Sequence, residues 1–388
     1  MLSFILAALI GRALGDAGLA TYATALAWVF PLSLLADFGM STLLTREIAR
    51  TPSQASALLK TTWVARLLLG GTLMTALVAA APLLHDDSQV IDALRLSAPL
   101  ILVQPLYGSY AAVFRARQDM RPVASLNLGM LGAQVLLTGL ALAAGTDIRG
   151  VMALNTATST GQLAAAWWLY RRRPAAVGAS PPPLAALLWQ ARSFALAGVL
   201  GALALRLNLL LLGQLSSLAV VGAYVAAQRF IDAGAVLARG VYDAAYPALA
   251  ADASHLKRIF RRVLAWLTAG AIVFGMGVSV GAEILITAVY GAGFADAVPV
   301  LQLAAWSLLP NVLRNARIVY WYARGEEAYT NRVYVVSLIL QSVLALLLMP
   351  RFGAIGAVWV SILTDTAASL MLWGFRRSAT RGPYTPAE

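Results

Sequence analysis

The side chains of this sequence that could do chemistry are the charged residues inside its long apolar stretches. Six arginines and four acids lie there: Arg66, Arg95, Arg206, Arg229, Arg314 and Arg317, with Asp37, Asp232, Glu283 and Asp365. A guanidinium at the bilayer centre costs about 2.5 to 3.5 kcal/mol on insertion scales, so a helix retains one only where it is paired or faces water. The surplus charge is positive, and guanidinium groups bind phosphate and carboxylate strongly. The chemistry indicated is the binding of an anion at membrane depth.

Arg206 is the strongest single candidate for this anion site, because no charged residue lies within one helical turn of it. Arg229 is a second candidate, but Asp232 follows three residues later on the same helical face. These two side chains either pair with each other or leave Arg229 open to a ligand. Arg317, two turns beyond Pro310, is a further candidate.

A polar face consisting of Asn311, Arg314 and Asn315 follows Pro310, a residue that can kink a helix. We expect Asn311 and Arg314 to line a cavity and contact the anion. The alternative for this face is ordinary hydrogen bonding between helices.

Three acids are candidates for gating or coupling: Asp37, Asp232 and Asp365. Asp37 lies towards one end of its apolar stretch and is interpreted as a gate or as a packing partner for a nearby arginine. Asp365 has serines one turn to either side, so it is either a protonatable coupling site or the partner of an arginine on another helix. We favour the second interpretation of Asp365.

The elements that position these residues are membrane-spanning helices. The mean hydropathy is +0.75 and only 12% of residues are charged, against roughly a quarter in soluble domains. Breaks recur at the spacing of about 20 residues that a helix needs to cross a bilayer. We predict twelve spans: residues 1–11, 19–44, 58–81, 90–114, 122–144, 150–170, 194–215, 219–238, 262–289, 298–322, 331–349 and 353–375. The first is too short to cross, which predicts a truncated N-terminus.

The basic residues predict how the spans are oriented. One set of alternate connections holds twenty of them, whereas the other holds only Arg12, Arg149 and Arg351. Cytoplasmic connections retain Lys and Arg, so the first set is assigned to the cytoplasm. The net charge of +12 is then a topology signal, and nucleic acid is not needed as a partner to explain it.

Metal, disulfide and nucleotide chemistry are not indicated, and no cofactor is expected. The sequence has no cysteine, and its two histidines, His85 and His255, fall in predicted loops. The lone Gly-rich turn at Gly291 has neither a preceding strand nor a phosphate-binding lysine.

The two halves of the sequence resemble each other. GRALGDAGLATYATA from Gly11 aligns with GQLSSLAVVGAYVAA from Gly213, which matches Tyr22 with Tyr224, and two further segments match at similar offsets. We therefore predict an N-terminal six-helix bundle (1–173), a Pro-rich cytoplasmic linker (174–193), a C-terminal six-helix bundle (194–377) and a cytoplasmic tail (378–388). Parallel repeats of this kind place a substrate cavity between the halves.

Two segments carry a resemblance to a known family. These are LIGRALGDAGLATYATALAWVFPLSLLADFGMSTLLTREIAR (residues 9–50) and LNLLLLGQLSSLAVVGAYVAAQRFIDAGAVLARGVYDAAYPALA (residues 207–250). Both resemble polysaccharide biosynthesis proteins, the O-antigen (Wzx-type) flippases of the MATE-like MOP exporter superfamily. The resemblance implies an all-α, twelve-helix transporter that moves undecaprenyl-pyrophosphate-linked oligosaccharide across the bacterial cytoplasmic membrane. Asn208 departs from the pattern, since family members often carry an acid there, and this puts carboxylate-based ion coupling at that position in doubt.

Two other functions compete with the flippase. A MATE-like exporter of organic cations would need an acid-rich cavity, whereas the intramembrane surplus here is positive. A membrane-embedded polysaccharide polymerase or glycosyltransferase would need carboxylates near an aqueous face, and only Asp86 and Asp87 are adjacent in an outer loop. The expected partners are the lipid-linked oligosaccharide pyrophosphate and membrane lipids, and the resemblance also allows a polymerase and chain-length proteins.

Overall fold

The computed structural model describes residues 2–172, 183–251, 256–322 and 326–374. These residues are nearly all helical, and no strand occurs among them. The predicted all-α membrane fold is confirmed. Large apolar side chains such as Leu205, Trp266 and Val280 point outward, as expected for helices that face lipid.

The helices in the described part of the chain are numbered α1 to α12. They are α1 (Leu2–Asp37), α2 (Met40–Arg50), α3 (Ala55–Leu84), α4 (Ser88–Ser97), α5 (Leu100–Ala116), α6 (Arg121–Ala143), α7 (Ile148–Arg171), α8 (Leu184–Leu215), α9 (Leu218–Ala251), α10 (Leu256–Tyr290), α11 (Ala297–Tyr322) and α12 (Glu327–Gly374). Short 3-10 turns at Pro52–Gln54 and Ala292–Phe294 complete the described structure.

Helices α1 and α12 each contain a sharp kink at a glycine. Gly15 has φ 71° and Gly353 has φ 52°, a left-handed backbone that glycine adopts without the steric penalty of other residues. The kinks fall in or beside the gaps between predicted spans 1 and 2 and spans 11 and 12. Each long helix therefore consists of two arms that meet at an angle.

Eight helical segments in the described ranges are long and apolar enough to cross a membrane. Two of them, Leu2–Arg50 and Tyr329–Gly374, have 49 and 46 residues. At about 1.5 Å per residue each is roughly twice the thickness of a bilayer core of about 30 Å, so each can supply two passes. The protein is thus a multi-pass membrane protein, while the count of twelve spans stays a prediction.

Several helices extend beyond the predicted spans. Helix α9 continues to Ala251, well past the predicted end at residue 238, and α10 begins at Leu256 instead of residue 262. The flanking basic residues mark where the chain leaves the hydrocarbon, but a helix continues into water because its backbone bonds are internal. Hydropathy therefore predicts membrane depth better than helix ends.

Helix α8 begins at Leu184, inside the stretch predicted to be a linker (174–193). Leu187 and Ala191, one turn apart on this helix, are buried in a cluster with Met40 and Leu44 of α2. The apolar face of these turns explains why they are helical despite the preceding prolines. Residues 174–182 of the linker and the tail predicted at 378–388 lie outside the described residues, so the domain boundaries otherwise stay predictions.

Helix α1 forms the junction between the first half of the chain (α1–α7) and the second half (α8–α12). It packs against α3 to α7 on one side and against α8, α9 and α10 on the other. The approach is closest at Gly222 of α9, where a Cβ atom would lie 2.4 Å from the backbone oxygen of Asp16. Only glycine allows the two backbones to lie this close.

Candidate functional site

Arg206 lies on α8 at the junction between the halves. Its guanidinium carbon lies 5.1 Å from the centre of the Phe30 ring on α1, and its Nε is buried without a hydrogen-bond partner. Arg229 and Asp232 of α9 are within electrostatic range. Arg206 is thus a partly buried cation with an unsatisfied donor, held between elements of both halves.

Arg229 lies close to two tyrosines from different parts of the fold. Tyr22 of α1 and Tyr290 of α10 are within electrostatic range of its guanidinium. Asp232, the carboxylate predicted as a pairing partner, accepts a hydrogen bond from Gln228 Nε2 at 3.3 Å. Within the part of the chain that the structure describes, no ion pair joins Arg229 to Asp232. The geometry therefore favours the alternative in which Arg229 does not pair with Asp232 and is left open to a ligand.

Asp37 has an arginine partner that the sequence did not identify. Arg66 of α3 is 0% exposed and donates hydrogen bonds to Asp37, to Ser109 and, at 2.9 Å, to Ser41 Oγ. Ser41 in turn donates its hydroxyl to Asp37 Oδ1 at 2.6 Å. The interpretation of Asp37 as a packing partner of a nearby arginine agrees with this contact, whereas its gating role stays a prediction.

The chain breaks its helix directly after Asp37. Phe38 and Gly39 both have a left-handed backbone, with φ of 47° and 70°. The Asp37 carboxylate then accepts the backbone N–H of Ser41 at 3.2 Å, at the start of α2, where free N–H groups attract negative charge. One carboxylate thereby holds α1, α2 and α3 together at this break.

A cavity of about 670 Å³ adjoins this break. Its lining residues are Phe30, Ser33, Leu34, Asp37, Ser41, Thr42, Thr45, Arg46, Gln104, Pro105 and Arg115. Arg46 and Arg115 are exposed at its mouth, and Phe30, which contacts Arg206, lies at its other end. The volume is within the range of about 300 to 1,000 Å³ that small-molecule sites occupy. This polar cavity shares Phe30 with the surroundings of Arg206.

The opposite end of the molecule is closed by contacts between the halves. Arg12 at the end of the first arm of α1 donates from Nε to the carbonyl oxygen of Val289 at 2.8 Å, and from Nη2 to that of Ala288. These carbonyls lie in the last turn of α10, where a helix attracts positive charge. The Gly222 approach lies at the same end.

His85 and Gln214 add a further contact between the halves at this closed end. Gln214 Nε2 and His85 Nε2 lie 3.2 Å apart. Partial burial lowers the pKa of His85, and the neighbouring carboxylates of Asp86 and Asp87 oppose this effect. The contact is therefore favoured by the neutral imidazole.

Arg314 and Asp365 form an ion pair between α11 and α12. Asn311 Nδ2 donates to Asp365 Oδ2 at 2.9 Å, and Asn315 Nδ2 donates to Asn311 Oδ1 at 2.9 Å. This is the interhelical bonding that the sequence offered as the alternative for this polar face, and it matches the favoured interpretation of Asp365. That Asn311 and Arg314 also contact a substrate stays a prediction.

Arg317 is held by aromatic rings. Its guanidinium carbon lies 3.7 Å from the centre of the Trp373 ring and 5.2 Å from that of Phe260. Such contacts stabilise a cation without neutralising it. The two remaining charged residues of the predicted set, Arg95 and Glu283, are exposed on the outer faces of α4 and α10.

A second polar group lies in the second half, around Asn208 of α8. Gln341 Nε2 donates to Asn208 Oδ1 at 2.9 Å, and Asn208 Nδ2 donates to Ser361 Oγ at 2.8 Å. Both partners lie on α12. Asn208 is therefore satisfied by neutral groups that do not themselves bind a cation tightly.

Sequence reasoning missed the aromatic side of the site: Tyr22, Phe30 and Tyr290. An aromatic residue inside an apolar span carries no signal of its own, because most such residues only pack. One signal was present for Tyr22, since the repeat aligned it with Tyr224. In the structure both tyrosines are buried, and Tyr224 is within electrostatic range of Arg206.

The fold and the apolar helices define a multi-pass helical membrane protein with charged side chains at the junction of its halves. Residues 1–251 match the polysaccharide biosynthesis protein family, and the chain belongs to this family. No curated protein sequence is significantly similar to the chain.

Solved structures with the same fold are transporters of the MOP superfamily. An inward-facing multidrug resistance MATE family transporter superposes with a TM-score of 0.80 at 17% identity, covering 96% of this chain and 94% of that one. The lipid II flippase MurJ in an inward closed conformation gives 0.82 at 12% identity, with 96% and 84% covered. A MOP transporter from Pyrococcus furiosus, described as having a binding pocket of reverse polarity, gives 0.67 at 14% identity, with 96% and 90% covered. Because these sequence identities are all below 20%, the structural similarity establishes the fold alone.

Proposed function

We propose that the protein is a flippase that moves undecaprenyl-pyrophosphate-linked oligosaccharide repeat units across the bacterial cytoplasmic (inner) membrane. The product would serve surface polysaccharide synthesis, as O-antigen or exopolysaccharide. The observation that carries the proposal is the proximity of Arg206 and Arg229. These cations are within electrostatic range of each other at the junction of the halves, and neither has an ion pair among the described residues.

The electrostatics of this pair favour an anionic ligand. Two like charges in a medium of low dielectric repel each other, so a bound anion between them is stabilised more than it would be in water. A diphosphate offers several acceptor oxygens to the planar fork of each guanidinium. The unsatisfied Nε of Arg206 is a donor that such an oxygen can occupy.

The cavity provides a route for the headgroup. Arg115 attracts the diphosphate at its mouth, where Arg46 is paired with Glu47, and the hydroxyls of Ser41, Thr42 and Thr45 offer hydrogen bonds to sugar. With the predicted orientation this mouth faces the cytoplasm, where lipid-linked units are assembled, and the closed end faces outward. The lipid tail stays in the bilayer while the headgroup passes between the halves.

Movement requires the closed end to open and the cavity to close. The contacts made by Arg12, His85 and Gly222 are those that must separate. Asp37 and Asp365, each held by an arginine, are the candidates for gating or coupling, with Asp232 as a third. Arg317, Arg314 and Asn311 are further candidates for headgroup contact from α11.

The competing functions lack a supporting observation. A cation exporter would need several carboxylates open to its substrate, but Asp37 and Asp365 are already bound to arginines, which leaves Asp232 among the three candidate acids. The protein is proposed to act as a transporter and not as an enzyme. Its proposed partners are the lipid-linked substrate and membrane lipids, with a polymerase and chain-length proteins acting downstream.

The deciding experiment replaces Arg206 and Arg229 with glutamine, singly and together, in a host lacking its own copy of the gene. Loss of a charge-assisted hydrogen bond is worth about 1.5 to 3 kcal/mol, so we expect surface polysaccharide to fall at least about tenfold. Arg95→Gln, at an exposed position in the first half, is the matched control. Immunoblotting of membranes verifies protein levels. Normal polysaccharide in the double variant would refute the proposal.

A further inference from the structure

Residues 148–231 form an acid-free stretch of the chain. This stretch of 84 residues contains seven arginines and neither aspartate nor glutamate. Four of the arginines lie beside or within the predicted cytoplasmic linker (174–193): Arg171, Arg172, Arg173 and Arg192. A positive charge that no carboxylate in the same stretch offsets is balanced either by acids elsewhere in the chain, as Asp92 balances Arg149, or by bound anions.

Three of these arginines are stacked on exposed tryptophans, and we name the three pairs the Trp–Arg stacks. The guanidinium carbon of Arg172 lies 3.5 Å from the ring centre of Trp168, and that of Arg192 lies 3.3 Å from the ring centre of Trp189. The third stack joins Arg171 to Trp167 at 4.8 Å. Each pair is three or four residues apart on one helix, so one helical face presents both the ring and the cation.

Stacking fixes each guanidinium without using its hydrogen bonds. The ring contacts the face of the planar group, and the N–H donors around its edge stay available. In the part of the chain that the structure describes, no hydrogen bond or ion pair engages the guanidinium groups of Arg171, Arg172 and Arg192. They are therefore preorganised forks of the kind that bind phosphate through two parallel hydrogen bonds.

The two stacks of α7 and the stack of α8 adjoin one buried cluster. Tyr170, between the tryptophans and arginines of α7, packs on the same buried cluster as Leu187 and Ala191 of α8. The end of α7 and the start of α8 therefore share a support. Trp189 is 67% exposed, and the tryptophans of α7 are nearly half exposed, so the rings are open to lipid.

We infer that the Trp–Arg stacks form a binding site for the headgroup of an anionic phospholipid, such as phosphatidylglycerol, in the cytoplasmic leaflet. Tryptophan rings prefer the depth of lipid headgroups, and arginines beside them meet the phosphates there. The inference does not depend on what the protein transports.

A lipid bound here would also act on the junction between the halves. The first turns of α8 carry Trp189 and Arg192 on one face, while Leu187 and Ala191 on another face are buried against α2 of the first half. A headgroup shared by α7 and α8 holds these turns in place. The bound lipid therefore stabilises the arrangement described above, in which α8 packs on the first half.

The test compares phosphatidylglycerol with phosphatidylcholine as probes on the purified full chain, by native mass spectrometry in neutral detergent. Three arginines near an anionic headgroup should favour phosphatidylglycerol by at least about tenfold. The triple variant Arg171→Gln, Arg172→Gln, Arg192→Gln should lose this preference. A second triple variant, Arg121→Gln, Arg261→Gln, Arg262→Gln, changes three exposed arginines assigned to the same membrane face and should keep it.

Replacing the three stacked arginines with lysine distinguishes the contribution of bidentate hydrogen bonding from that of positive charge. Lysine keeps the net charge, and with it the preference for phosphatidylglycerol, but neither stacks as well nor binds bidentately, so we expect phosphatidylglycerol to bind more weakly. Three results would overturn the inference: equal binding of both lipids by the unaltered protein, an equal loss of preference in the two glutamine variants, or undiminished phosphatidylglycerol binding in the lysine variant. Because the readout is lipid binding, its failure is distinct from a failure of transport.

Discussion

The guanidinium of Arg66 on α3 is completely buried against the carboxylate of Asp37, the last residue of α1. The pair lies beside the helix break at Phe38 and Gly39, and Asp37 also lines the cavity. Asp37 therefore adjoins the space through which the headgroup is proposed to enter, while Arg66 is buried in the protein interior, where it also donates to Ser109. The charges of the pair are matched, so the pair contributes no net attraction for an anion and instead fixes the positions of three helices.

Separating these two charges should destabilise the protein strongly. Arg66→Met leaves the Asp37 carboxylate without its cation, and breaking a buried pair in this way costs about 3 to 5 kcal/mol. In the double variant Arg66→Met, Asp37→Asn both charges are absent, and we expect much of the loss to be recovered. Thermal unfolding of the purified protein measures both effects. A single variant that melts with the unaltered protein would show that the pair has no structural role.

The close approach of α1 and α9 predicts a sharp difference between two glycines. Gly222→Ala places a methyl group 2.4 Å from the Asp16 oxygen, so the helices must separate. Overpacking of this kind costs about 1 to 3 kcal/mol. Gly71→Ala on α3 meets nothing within 4 Å and should be neutral or slightly stabilising. Equal melting temperatures for the two variants would contradict the described contact.

The closed end should loosen in acid. Burial lowers the pKa of His85 below its ordinary value of 6.5. A histidine with a lowered pKa in the closed arrangement contributes stability that is present above about pH 6.5 and is lost as the pH falls below it. We therefore expect the contact with Gln214 to weaken as the pH falls below about 6.5.

A single introduced cysteine can report this opening, because the chain has none of its own. At Gly213 a Cβ atom would meet Thr24 and His85 only at ordinary contact distances, so Gly213→Cys should be tolerated. Labelling by a membrane-impermeant thiol reagent should increase in acid, relative to the same protein carrying His85→Gln. Identical pH profiles in the two proteins would exclude His85 as the cause.

Arg12 should hold the same end closed at every pH. Its guanidinium binds two carbonyl groups at the C-terminus of α10, an interaction worth about 0.3 to 1 kcal/mol or more through the helix dipole alone. Arg12→Gln should raise labelling of the Gly213→Cys probe several-fold without changing its dependence on pH. Arg149→Gln, which changes another basic residue assigned to the outer face, is the control and should leave labelling unaltered.

The positions of most helices follow from the sequence because apolar length is a local property. The boundary of α8 did not, since the prolines before Leu184 indicated a linker, whereas Leu187 and Ala191 become helical by packing against α2. That contact joins segments far apart in the chain. Hydropathy carries no information about it.

The sequence was sufficient to predict which charged residues form the candidate site, but not which of them form ion pairs with each other. Arg206 and Arg229 were found because a cation is expensive in an apolar span. Which carboxylate each arginine meets depends on how helices pack, and for this reason the contact between Arg66 and Asp37 was not identified. The contact of Arg206 with Phe30 could not be predicted for the same reason, because Phe30 belongs to the other half of the chain.

The difference between a paired and an unpaired arginine gives the last prediction. Arg314 is bound to Asp365, so Arg314→Gln leaves a partly buried carboxylate without its cation and should lower the amount of folded protein. Adding Asp365→Asn removes that charge and should restore the amount. Arg206 has no such partner, so Arg206→Gln should abolish surface polysaccharide at normal protein levels, and adding Asp232→Asn should not restore it. Surface polysaccharide per unit of membrane protein measures both cases. Restoration of transport in the Arg206→Gln, Asp232→Asn variant would mean that Arg206 only balances a carboxylate, and the anion site would have to be sought elsewhere.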